Sequence, residues 1–239
     1  MTMESLDRAG KHPQNQVPEK QKAINLARQV LTDFNVVDPG PKVESSLVAT
    51  PVESTQPKPD LLKQTYELLL RTREPRPEER KALEERGFAF FDIKAKSLAQ
   101  LIQENPKHFG YVHESGKLRE YVPTAMAIAL NLKQLALPNS NSQTLAVQLE
   151  MIEESSKPFE QKFPDAKMVM LPASAYTQAD IRQKIFKNFF ARTLDETVGS
   201  RVAGVGRNRP GFQLYVLDWR ADDGLDVVVA VPAVVFLKK

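Results

Sequence analysis

The sequence predicts an α+β fold: a C-terminal antiparallel β-meander in a mixed or antiparallel sheet, with several short helices packed on one face. Three observations lead there. Helical and strand periodicities alternate through the middle of the chain. From Lys184 to Leu237, four strand-like runs then follow one another: Ile185–Thr193, Val198–Gly206, Phe212–Trp219 and Leu225–Phe236. Turn-rich segments separate these runs at Leu194–Thr197, Arg207–Gly211 and Arg220–Gly224.

Residues 1–18 are polar, include Pro13 and Pro18, and are expected to be a disordered tail. In 19–34, Ile24, Ala27, Val30, Leu31 and Phe34 recur at helical spacing, so an amphipathic helix is expected. It either docks on its own chain or serves as a docking segment for a partner. Residues 35–59 hold five prolines among Ser, Thr and Val and no aromatic residue, which is the composition of a linker. A single α+β domain over 60–239 is expected to follow.

Within that domain, Asp60 is a plausible N-cap for a helix over Leu61–Arg71. Pro77 opens a second helix, Glu78–Arg86, that Gly87 would end. Phe88–Ile93 is a predicted strand and Ser97–Asn105 a helix closed by Pro106. His108–His113 and Lys117–Val122 are expected to pair as a hairpin around Glu114-Ser115-Gly116. Thr124–Leu132 alternates as a strand, Thr144–Ser156 is amphipathic as a helix, Lys167–Leu171 is a short strand, and Tyr176–Lys184 a short helix. Val227–Val231 is apolar on both faces and should be covered on both; Pro232 should mark a bulge or strand end.

Composition narrows the chemistry. The chain has 239 residues, a net charge of +3 and no cysteine. Disulfides, thiolate catalysis and Cys-ligated metal are thereby excluded. Met1–Gly10 lacks an apolar core for a signal peptide, and the longest apolar run is too short to cross a bilayer, so a cytoplasmic protein without a membrane partner is expected.

The most specific local pattern is Arg86-Gly87-Phe88-Ala89-Phe90-Phe91-Asp92-Ile93. It resembles the first ribonucleoprotein motif of RNA-recognition domains, in which aromatics on one strand face stack on bases. The resemblance covers eight residues and makes Phe88 and Phe90 candidate binding residues; Ile93 stands where the motif has an aromatic. The other reading is a core strand under helices. A second pattern, Gly204-Val205-Gly206-Arg207-Asn208-Arg209-Pro210-Gly211, could hold a phosphate through backbone N–H groups and charge, although its spacing is neither a dinucleotide fingerprint nor a P-loop. It could equally be a hairpin loop whose glycines relieve strain.

Residues 166–239 carry eleven Lys or Arg against seven acids. Arg192, Arg201, Arg207, Arg209 and Arg220 are the candidate binding residues of this basic end. The acidic turn Asp218–Asp226 cannot be an EF-hand, because aligning Gly224 with the loop glycine puts Trp219, Ala221 and Ala230 at ligand positions. No metal site or cofactor motif is present in the sequence. His108 and His113 lie five apart on a predicted strand, facing opposite ways, and Ser200 lacks the second glycine of a nucleophile elbow. The expected function is therefore binding without catalysis: an accessory protein whose basic surface meets nucleic acid or an acidic protein. The alternative is an enzyme with a non-obvious site acting on a phosphorylated or other anionic small molecule.

Overall fold

The computed structural model describes residues 59–239. The expected tail, the helix over 19–34 and all of the linker but its last residue lie outside the described residues. Six helices and ten short strands follow: α1 (Pro59–Leu70), β1 (Thr72–Arg73), α2 (Pro77–Glu84), β2 (Phe88–Ile93), α3 (Leu98–Glu104), β3 (Phe109–Val112), α4 (Gly116–Glu120), β4 (Met126–Asn131), α5 (Leu145–Lys162), β5 (Ala166–Val169), α6 (Ala173–Gln183), β6 (Phe190–Glu196), β7 (Arg201–Gly206), β8 (Leu214–Arg220), β9 (Val228–Val229) and β10 (Ala233–Leu237). The fold is α+β, as its sequence predicts, and the strands divide between two sheets.

In the first sheet every pairing is antiparallel. β10 has β5 along one edge; its other edge meets β4 at the start and β1 at the end, and β2 flanks β4. The alternation in Thr124–Leu132 is obeyed. Met126, Ile128 and Leu130 enter the main core, while Ala129 faces a second, smaller cluster with Leu83, Val234 and Phe236. Helices therefore cover both faces of this sheet, not one as expected. The reason lies in β2, β4 and β10, which carry apolar side chains on both sides.

The second sheet runs β3-β8-β7-β6-β9. β6, β7 and β8 form the antiparallel meander, while β3 joins β8 and β9 joins β6 in parallel. Two predicted elements change here. The expected hairpin after His108 does not form: Lys117–Val122 contributes the short helix α4, and β3 pairs with a strand more than a hundred residues later. The fourth predicted strand is cut at Pro232, as anticipated, and its halves go to different sheets, β9 to the second and β10 to the first. Residues 228–231, which are β9 and the two residues after it, are all buried.

α6 packs against β2 of the first sheet and β6 and β7 of the second. Its residues Ala173 to Asp180 are all buried, and the run of small side chains (Ala173, Ser174, Ala175, Ala179) allows that close approach. The glycines of β7 have a similar explanation. A Cβ on Gly206 would lie 2.1 Å from the Phe189 carbonyl oxygen, and one on Gly204 would meet the Trp219 ring at 2.5 Å. They sit inside a strand and admit neighbouring groups, so they form no phosphate-cradling turn.

Helix ends are set locally. Ser97 caps α3, its Oγ accepting from Gln100 N–H at 3.3 Å while Gln100 Oε1 accepts from Ser97 N–H at 2.9 Å. α5 outruns its predicted end at Ser156 and passes through Pro158 to Lys162. The extension carries Phe159 and Phe163, both partly buried, against the small cluster beneath the first sheet.

Candidate functional site

The basic end is built around a buried carboxylate. Asp180, on α6, accepts two hydrogen bonds from the Arg207 guanidinium at 2.5 Å each and one from Phe186 N–H at 3.0 Å, and its Oδ2 lies 2.9 Å from His108 Nε2. Burial opposes its charge, but the hydrogen bonds from His108, Arg207 and the Phe186 amide outweigh that and hold the carboxyl below its ordinary range. Arg207 also donates to the carbonyls of Phe186 (3.1 Å) and Phe212 (2.7 Å). Three segments are thus fastened together: the stretch before β3, the link between α6 and β6, and the β7–β8 loop.

What these segments display outward is cationic and aromatic. Lys184 closes α6 in a left-handed conformation (φ 47°), and Lys187 follows Phe186; both are exposed. The carbonyl of Lys107, also exposed, accepts from Gln213 Nε2 at 3.2 Å. Phe212, 51% exposed, lies with the Arg209 guanidinium 5.9 Å from its ring centre. Among the described residues, Lys107, Lys184 and Lys187 form no ion pair. Glu104, on the neighbouring helix α3, is held by Lys96 at 2.6 Å.

The arginines singled out from the sequence do not gather at one place. Arg201 and Arg220 face each other across β7 and β8, and Arg207 and Arg209 lie beyond the opposite end of that hairpin, about 20 Å away at roughly 3.3 Å per residue. Arg201 grips Asp218 at 2.8 Å, and Arg220 grips Asp222 at 2.7 Å. Arg207 and Arg192 are buried. Arg192 spends its guanidinium on the carbonyls of Arg220, Ala221 and Asp223, fastening the turn after β8; burial pulls its pKa down to about 10. Phe88 and Phe90 share the sheet face that packs on the small cluster. Phe88 lies 6.1 Å from Phe159, and Arg80 covers Phe90 at 4.4 Å. Both rings are half-buried there.

A second feature escaped the sequence reading. Tyr66 on α1, Tyr121 after α4, and Leu194 and Asp195 at the end of β6 line a cavity of about 400 Å³. Asp195 is buried, and its oxygens accept from Tyr66 Oη (3.2 Å), Ala173 N–H (2.5 Å) and Thr193 Oγ1 (3.4 Å). Burial raises its pKa to about 6. Burial, and next the charge of Asp195, push the Tyr121 hydroxyl up to about 12 and that of Tyr66 further still. The signal was faint: residues 66, 121 and 195 converge only through tertiary structure. Neither His108 nor His113 lines this cavity.

Among the described residues no helix is long and apolar enough to cross a membrane, and no group of three His, Asp or Glu could hold a metal ion. No family model, curated protein or solved structure matches this chain.

Proposed function

We propose that the chain is a binding protein whose partner is single-stranded nucleic acid, held at the end of the second sheet by Lys107, Lys184, Lys187, Arg209 and Phe212. The observation that carries this reading is the exposed Phe212 ring set among exposed cations, while the acid at their centre, Asp180, is buried and already bound. Ammonium groups would meet phosphates, and the ring offers a base a stacking surface contributing ~1–3 kcal/mol. The surface differs from the one expected, because Arg192 and Arg207 turned inward and Arg201 and Arg220 stand at the far end of the hairpin. That separation also removes most of the support for an enzyme handling a phosphorylated small molecule near Arg201, Arg207 and Arg209.

Fluorescence anisotropy with a labelled oligothymidylate tests the proposal. Binding should weaken with salt, with a log–log slope of about −2 for three phosphates neutralised by the lysines. Phe212→Ala should weaken it about tenfold, and exchanging the three lysines for glutamine should flatten the salt slope. No binding at low salt refutes the reading. Equal binding of poly-glutamate, unaffected by Phe212→Ala, would replace it with a general acidic partner.

A further inference from the structure

The tyrosine-lined cavity lies apart from the basic surface and presents different chemistry. Its volume of about 400 Å³ falls within the range of small-ligand pockets, roughly 300–1,000 Å³. Its walls are Leu62, Leu194 and two tyrosine rings that meet edge to face at 5.6 Å. The lysines at its rim are already paired with acids: Lys117 with Glu196 at 3.6 Å and Lys63 with Glu67 at 4.0 Å. The carboxyl at its floor differs from the other buried acid, Asp180. Asp180 is saturated by a guanidinium, whereas Asp195 has hydrogen-bond donors but, among the described residues, no ion pair; the charge of Lys117, which is bound to Glu196, acts on it only from a distance. Its Oδ1 accepts from Tyr66 alone, which leaves a lone pair available.

A buried carboxylate without an ion pair of its own, at the end of an apolar and aromatic cavity, is complementary to a cation carried on an apolar body. Tyrosine rings beside the site favour the same charge. An anionic ligand would meet Asp195 with repulsion, and a neutral one would leave it uncompensated. We propose that this cavity binds a small organic ammonium, a primary or secondary amine on an aliphatic or aromatic frame, with Asp195 as its counter-ion and Tyr66 and Tyr121 around its charged end. Tyr66 then has a positioning role, since its hydroxyl fixes the Asp195 carboxyl and its ring forms the wall.

Calorimetric titration of the full chain with benzylamine, and with benzyl alcohol as the neutral counterpart of the same shape, tests the assignment. Benzylamine should bind saturably at neutral pH and at least tenfold more tightly than benzyl alcohol. Asp195→Asn, which keeps the shape and removes the charge, should erase that preference while leaving oligothymidylate binding unchanged. Because Asp195 also anchors the start of α6, a measurement on the unmodified protein stands beside the variant. Nuclear Overhauser contacts should connect the benzylamine ring protons to those of Tyr66 and Tyr121. Absence of benzylamine binding, equal affinity for amine and alcohol, an undiminished preference in the variant, or contacts to other residues would each overturn the proposal.

Discussion

Asp195 and Asp180 are both buried carboxyls, and their surroundings push them in opposite directions. Asp195 protonates near pH 6 in the folded chain but at its ordinary 3.8 when unfolded. The folded state therefore takes up this proton first as pH falls. The stabilisation from Asp195 is complete below about 3.8 and is lost as pH rises through about 6; two units of pKa correspond to roughly 3 kcal/mol. Urea unfolding of the unmodified chain and of Asp195→Asn should show the variant gaining about 3 kcal/mol relative to the parent between pH 4 and pH 8. A pH-independent difference would contradict it. Asp180, held low, behaves conventionally: its contribution is present above its unfolded pKa and is lost as pH falls through the depressed folded value. Removing its partner should be severe. Arg207→Met strands a buried charge, with an expected loss of about 3–5 kcal/mol in urea unfolding, and a companion Asp180→Leu change should recover part of it.

Among the elements, those whose reasons are local were legible. β2 and β4 follow from β-favouring side chains and alternation, α2 from Pro77, and α3 from the stop at Pro106. Those governed by distant partners were not. Nothing near Gly116 reveals that β3 pairs with β8 rather than with its own neighbour, and the Phe159 and Phe163 side chains that carry α5 past Pro158 pack against strands from elsewhere in the chain. The candidate site divides the same way. The basic tendency of the last 74 residues is visible in the sequence. Which cations reach the surface depends on Asp180 drawing Arg207 inward, which composition does not disclose. The Pro158 position yields a test. Replacing it with alanine restores an N–H for the Glu154 carbonyl and relieves the ring's clash, so stability should rise by about 1–3 kcal/mol, read as a higher Tm. Unchanged or lower stability would show that α5 is already relaxed around the proline.

Taken together, the two sheets share a core through α6 and are stitched by the crossing at 230–233, where the chain leaves one sheet and enters the other. Most of this packing joins segments distant in sequence. β10 is the strand on which the first sheet depends, because among the described strands it is the one that pairs with β1, β4 and β5 together. Ending the chain at Val231 should therefore abolish cooperative thermal unfolding and leave a species that binds hydrophobic dyes, whereas ending it at Leu237 should leave the melting curve intact. The position of β10 also bears on biosynthesis. Its partners emerge from the ribosome earlier, β1 by some 160 residues, and must wait with open edges until Ala233–Leu237 clears the exit tunnel. Until then the nascent chain exposes unpaired strand edges, and ribosome stalling shortly before that point is expected to leave it most prone to aggregate.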